Sequence, residues 1–335
     1  LSNFVVVSNI LLGKGRAAVK GWLVAGVIAL SAIALIEVSL RQWLGLGNPL
    51  LYLADREIGY RLAPNQEVHR FGNRIAINQY SMRGAAIEEK RPPNTFRLLL
   101  LGDSIANGGW WTDQSETISA LMERQLSNPL PPHTQGKTIE VLNASANSWG
   151  PRNQRAYLQK FGTFSAQVIV LLLNTDDLFA IAPTSLPVGR DINYPSHKPP
   201  FALVELFNRL LLRPKPIPEM AVLNQEKGDR VGINLAAIEE ISEMAKAANA
   251  QFLLVMTPLQ REVDGTDSRN YEEKARLRLQ NFAETKQISY LDFLPPFKQE
   301  KDPNSLYRDH IHLSPQGNQL VSETISKFVE RQASY

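Results

Sequence analysis

The chain contains no cysteine in its 335 residues. Disulfides, a thiol nucleophile and thiolate metal sites are therefore excluded. It also lacks any run of five or more basic residues. Lys and Arg number 36 against 33 Asp and Glu, a formal charge of +3. That excess is too small to mark a nucleic-acid binder. No internal repeat and no heptad run is present, so the sequence names no oligomeric state. Histidine is scarce, at five residues: His69, His133, His197, His310 and His312. Any imidazole chemistry must come from these. No metal and no cofactor is expected.

The rest has an ordinary globular composition, 44% hydrophobic and 21% charged, with one exception near the start. Residues 21–36 carry no charge. Extended to 19–40, the segment is long enough to span a bilayer of about 30 Å. Lys14, Arg16 and Lys20 precede it, and Lys20 can snorkel toward headgroups. The basic flank predicts a single-pass anchor in the cell membrane, with a cytoplasmic N-terminus and an extracytoplasmic body. Two alternatives stand beside it. Ala32-Ile33-Ala34 has the pattern of a signal-peptidase site, and a buried core helix would also be apolar. The chain opens on Leu1 instead of methionine, so further N-terminal residues are expected.

The organisation expected beyond the anchor (1–41) has two parts. Residues 42–94 form a linker and accessory region, with turn signals at Asn48-Pro49 and Ala63-Pro64-Asn65. Partial alternation over 70–78 predicts short strands or a hairpin. Arg91-Pro92-Pro93-Asn94 marks a boundary, and 95–335 is the main domain. There, apolar runs predict strands over 96–101, 138–143, 168–173, 251–256 and 288–293. Helical periodicity predicts helices over 117–126, 153–161, 234–248, 271–285 and 315–331. The alternation implies an α/β fold with a mainly parallel sheet covered on both faces. Residues 179–229 break the pattern. They are rich in proline around a helix over 201–213 that is apolar over most of its circumference. This insertion either packs onto the sheet or serves as a lid or membrane-contacting helix.

The strand over 96–101 stops at Gly102-Asp103-Ser104. Its four consecutive leucines suit a strand buried on both faces. Gly102 permits a close backbone approach. Ser104 then lies at the carboxyl end of the strand, where open α/β sheets bind ligands. A plain helix cap by Asp103 or Ser104 is the simpler alternative. The loop Asp309-His310-Ile311-His312 argues against it. A serine hydroxyl needs an imidazole to take its proton and a carboxylate to fix the imidazole's tautomer. In a turn, Asp309 can reach the ring three residues on.

Gly102-Asp103-Ser104 after an apolar strand, with Asp309-x-x-His312 before the last helix, resembles the SGNH/GDSL hydrolase superfamily. The likeness runs from Thr95 to the C-terminus. It implies a three-layer α/β/α sandwich with a flavodoxin-like sheet, plus the N-terminal helix and accessory region outside it. It implies Ser104 as nucleophile, His312 as base and Asp309 as orienting acid. The family's second motif, Asn-x-x-x-x-Gly, places Ser148 at the glycine whose N–H joins that of Ser104 in the oxyanion hole. The third, Gly-x-Asn-Asp, places Asp176 at the asparagine. An ionised Asp176 has no proton to donate. The expected remedy is a substitute amide from Asn174 or Asn147. Burial that keeps Asp176 protonated, a site tuned for something other than rapid hydrolysis, and a plain helix-capping role are the alternatives. Trp110 and Trp111 are candidates to line the substrate site.

The superfamily includes esterases, lipases, carbohydrate deacetylases and O-acetyltransferases. The expected activity is an extracytoplasmic serine esterase acting on ester-linked acyl groups of a glycan or lipid through an acyl-enzyme. Transfer of the acyl group to a polysaccharide hydroxyl is one alternative. A non-catalytic glycan-binding or assembly protein on the same scaffold is the other.

Overall fold

The computed structural model describes residues 2–128, 136–212, 215–265 and 269–332, with the backbone alone for 2–19 and 332. The chain opens with helix α1 (Ser2–Leu44). Two antiparallel hairpins follow: β1 (Tyr52–Asp55) with β2 (Gly59–Leu62), and β3 (Gln66–Arg70) with β4 (Asn73–Ile77). Next come β5 (Thr95–Gly102), α2 (Ser104–Asn107), α3 (Ile118–Ser127), β6 (Thr138–Ser145), α4 (Pro151–Phe161) and β7 (Val168–Asn174). The insertion holds α5 (Ala202–Leu211) and α6 (Pro218–Asn224). The chain ends with α7 (Arg230–Ala247), β8 (Gln251–Thr257), α8 (Gln260–Asp264), α9 (Asn270–Thr285), β9 (Ser289–Asp292), α10 (Leu294–Gln299) and α11 (Pro315–Gln332).

These elements group into two units. One comprises residues 1–48 and 198–213, with α1 and α5. Within α1, Lys20–Leu44 is long and apolar enough to cross a membrane. Trp22, Leu30, Leu35 and Trp43 on it are all well exposed. The side chains of Lys14 and Arg16 in the basic flank, and Arg213 at the end of the expected insertion helix, lie outside the described residues.

The second unit, residues 49–197 and 214–335, is built on a five-stranded, all-parallel sheet of order β6-β5-β7-β8-β9. The parallel, two-face-covered sheet expected from the strand–helix alternation is present. Alternate leucines of β5 enter different cores, because side chains along a strand point to opposite faces. Leu99 and Leu101 join Tyr157, Ile238 and Leu279 of α4, α7 and α9 on one face. Leu98 and Leu100 join Met122, Phe297 and Ile325 of α3, α10 and α11 on the other. Chain order reverses beside β5, between β6 and β7. Open α/β sheets bind ligands at such a switch point.

The two hairpins pack Tyr52, Ile58, Tyr60, Leu62, Val68 and Ile75 into the first of these cores. Their trailing segment carries Arg83, which is almost fully buried. Its guanidinium donates to the carbonyls of Asn107 and Gly109, each at 2.6 Å, and of Thr112. These carbonyls belong to the last residue of α2 and the loop just after it. Burial pushes the Arg83 pKa down to about 10, so the group stays charged at neutral pH. Removing it strands three buried acceptors, and each orphaned group costs about 1–3 kcal/mol. Arg83→Met should therefore lower the unfolding free energy by about 2–4 kcal/mol in a urea melt of the full chain. An unchanged midpoint would show that Arg83 does not hold this loop.

Candidate active site

Strand β5 delivers the first component. A Cβ on Gly102 would meet the Cβ of Ala106 at 2.5 Å and the carbonyl oxygen of Leu172 at 3.1 Å. Glycine there lets α2 fold back tightly on the end of the strand. Asp103 caps the short helix by accepting from the Ile105 N–H at 2.8 Å. Ser104 is its first residue and is nearly buried.

The second component comes from 208 positions away. His312 Nε2 lies 3.0 Å from Ser104 Oγ. Its Nδ1 lies 2.8 Å from Asp309 Oδ2 and 3.0 Å from Oδ1. An ionised carboxylate only accepts, so Nδ1 must carry the ring proton and Nε2 is left to accept from the serine. Asp309 also accepts the backbone N–H groups of His312 and Ile311. Burial alone would raise the Asp309 pKa. The N–H groups of His312, backbone and ring, and of Ile311 outweigh it and hold the carboxyl below its ordinary value. His310, two residues before His312, is largely exposed.

The tryptophans pack beside His312. Trp111 packs against the His312 ring at 4.4 Å between centroids. The Arg308 guanidinium lies over both Trp110 and Trp111, at 5.1 and 5.4 Å. Phe71, from the β3–β4 turn, closes on Trp110 at 4.9 Å. Neither tryptophan is among the residues lining the cavity at Ser104.

That cavity has a volume of about 630 Å³. Ser104, Ser148, Asp176 and His312 line it, and Tyr60 and Tyr194 add aromatic walls. Ser148 adopts φ = 57°. The position does require the left-handed conformation, which costs a non-glycine residue roughly 1–2 kcal/mol. Tyr194, from the insertion, donates its hydroxyl to Ser148 Oγ at 2.9 Å. Tyr60, from β2, donates to the carbonyl of Asn147 at 2.7 Å. These two tyrosines frame the second-motif loop, and no local sequence signal marks either one. Asn147 is not among the residues lining the cavity.

Asn174 closes β7, the neighbour of β5 in the sheet. Its amide nitrogen donates to Asp103 Oδ2 at 2.8 Å and Asp177 Oδ2 at 3.2 Å. Both hydrogens of the amide are thereby engaged. Burial raises the Asp103 pKa, and burial together with the Asp103 charge pushes Asp177 well above the ordinary carboxylate range. Asp176 faces the cavity half exposed, 3.7 Å from the Arg261 guanidinium. Partial burial raises its pKa despite Arg261. Its backbone N–H donates to Asn174 Oδ1. Among the described residues, no three His, Asp or Glu side chains converge as a metal site would need.

The sequence profile of the GDSL-like lipase/acylhydrolase family matches residues 100–320. No curated protein matches the chain. Among solved structures the chain is similar to an acetyl xylan esterase, with 14% identity and a TM-score of 0.46 over 70% of this chain and 100% of that one. It is also similar to a lipase/acylhydrolase from Enterococcus faecalis, with 12% identity and a TM-score of 0.45 over 71% and 96%. A catalytic mutant of an acetylxylan esterase from Geobacillus stearothermophilus shares 14% identity, with a TM-score of 0.46 over 70% and 93%. Likenesses this distant say nothing of substrate. The profile match spans most of the chain, from the end of the nucleophile's strand into the last helix, and the chain accordingly belongs to the GDSL-like lipase/acylhydrolase family, serine hydrolases that act on esters.

Proposed function

We propose that the protein is a membrane-anchored, extracytoplasmic serine esterase that hydrolyses ester-linked acyl groups of a glycan or lipid. The observation that carries this reading is the unbroken chain of contacts from Ser104 Oγ through the His312 ring to Asp309, opening on a cavity. Ser104 Oγ attacks the ester carbonyl carbon as His312 Nε2 takes its proton. The Asp309 charge stabilises the imidazolium that forms. The tetrahedral oxyanion is received by the backbone N–H groups of Ser104 and Ser148. Collapse expels the alcohol, which takes the proton from His312. Water, activated by the same imidazole, then releases the acid from Ser104.

The location rests on α1. Trp22 and Trp43 are each nearly four-fifths exposed. They stand 21 residues apart, about 31 Å along a helix rising about 1.5 Å per residue. That matches a hydrocarbon core of about 30 Å with an aromatic residue at each boundary. The basic residues before the span favour a cytoplasmic N-terminus.

Ser104→Ala should lower kcat/KM on short-chain nitrophenyl esters by about 10⁴-fold or more. It should also abolish labelling by a fluorophosphonate probe. Full activity in that variant would remove Ser104 from the mechanism. Asp309→Asn should cost about 10⁴-fold in kcat through loss of the correct tautomer. Free acid as the product from an acylated glycan supports hydrolysis, whereas acylated acceptor appearing in its place would make the protein a transferase.

The hole itself gives a separate prediction. With Asn174 engaged elsewhere, an ionised Asp176 occupies the place of a donor, and one missing donor costs about 10²–10³ in rate. Asp176→Asn should therefore raise kcat about 10- to 100-fold near pH 8. The Asp176 pKa is raised, so the acid form, which can donate, persists to higher pH than in an exposed aspartate. The gain from Asp176→Asn should consequently shrink as pH falls from 8 toward 5. A ratio near one at every pH would remove Asp176 from the hole.

A further inference from the structure

Glu37 is an unexpected residue six positions inside Trp43 on a helix otherwise suited to lipid. A lone carboxylate there would be expensive. It is not alone. Its two oxygens accept the backbone N–H groups of Ala202 at 2.8 Å and Leu203 at 3.0 Å, the first residues of α5. Arg41, one turn on, bonds Glu37 at 2.6 Å and reaches the Pro200 carbonyl at 3.0 Å. At the other side of the joint, Glu205 accepts from the Gly47 N–H at 2.6 Å and pairs with Arg209 at 2.9 Å. A carboxylate at a helix N-terminus satisfies orphan N–H groups and meets the positive end of the helix dipole. The insertion helix is thus fastened to the outer end of the apolar span by charge and backbone together.

The opposite face of α5 is apolar. Leu203, Val204, Phe207, Leu210 and Leu211 recur at three- and four-residue spacing, which places them on one side. Phe207, Leu210 and Leu211 are 53%, 72% and 67% exposed. Phe201 and Leu212, flanking the helix, are also more than half exposed. Ala202 and Glu205, on the other side, are buried. The joint at Glu37 lies about 9 Å along the helix from Trp43, within the depth of about 5–10 Å to which interfacial helices bury their apolar face.

We infer that α5 lies in the membrane surface beside the span, with its 203–211 apolar face immersed at the acyl–headgroup boundary. The inference rests on reading α1 as a membrane anchor, and what covers α5 is then lipid continuous with the lipid around α1. The bilayer is held at two places, by a crossing helix and by an insertion helix lying along it.

The absence of cysteine makes the test direct. Single-cysteine variants of the full chain, Leu210→Cys, Phe207→Cys, Ile28→Cys and Leu277→Cys, are labelled with an environment-sensitive fluorophore and reconstituted in phosphatidylcholine vesicles. Doxyl lipids quench at a shallow or a deep position of the acyl chain. Ile28→Cys, in mid-span, reports the anchor. Leu277→Cys, on the exposed face of α9, is the aqueous control. The expected result is loss of emission at 207 and 210 with the shallow quencher, loss at 28 with the deep one, and no loss at 277. Quenching at 28 without quenching at 207 or 210 leaves the anchor standing and overturns the inference. Quenching at 207 and 210 without quenching at 28 upholds the surface helix and removes the crossing one. A blue-shifted but unquenched label at 210 means that protein covers the face, and this also overturns it. Two reporter positions guard against one variant failing to fold.

Discussion

The site depends on one amide caught between two buried acids. Asn174 spends both its hydrogens on Asp103 and Asp177, and so ties the ends of the neighbouring strands β5 and β7. Two carboxyls buried this close repel each other when ionised, and the cost is moderated by donors and by keeping a proton in the cluster. The tie has consequences outward. It holds Asp103 where that residue can cap α2 and set the backbone of Ser104. It also removes Asn174 from service toward the cavity. Asp176, which lines the same cavity half exposed, is free of that tie and meets Arg261 in its place.

The remaining parts are held from regions that look peripheral in the chain. Arg308, Trp110, Trp111 and Phe71 form a stack that ends on the His312 ring. The hairpin residue Tyr60 and the insertion residue Tyr194 hold the 147–148 loop from two sides. Arg83 gathers the carbonyls of the loop after α2. The accessory hairpins and the segment trailing them are therefore structural members of the site, because without them the 107–112 and 147–148 segments lose hydrogen-bond partners. Buried polar groups of this kind are stabilising only while every partner is in place.

Much of this was legible in the sequence, for identifiable reasons. The runs at 96–101, 168–173 and 251–256 read as strands because both faces of the sheet are covered, so no polar residue interrupts them. Ser115 and Thr117 were both readable as caps before 118–126, and Thr117 is the one that caps α3; Ser314-Pro315 marks the start of α11 in the same way. Helix α7 begins at Arg230, four residues before the expected start, because Asp229 caps it over a glycine at 232. Strands β1 and β2 escaped notice because each is four residues long and β1 has no alternation, only buried ends around an exposed middle. Tyr60 and Tyr194 could not be found from local pattern, since each acts on a loop 87 or 46 residues away. Asp309 and His312 could be paired from the sequence because the spacing of an acid and an imidazole in one loop is itself a local signal, and the structure sets His312 beside Ser104. The engagement of Asn174 was not readable, because it depends on which neighbour its amide meets across the sheet.

The arrangement of the two units has one more consequence. The chain passes from one to the other three times: after Asn48, before Lys198 and after Arg213. A domain joined to its neighbour by a single connector is released by one proteolytic cut. Here a cut in the first connector would leave the second unit attached through 198–213 for as long as α5 stays joined to α1. The Glu37 joint then acts as a second, non-covalent leash, and parting the units would require both a broken peptide bond and a helix pulled free.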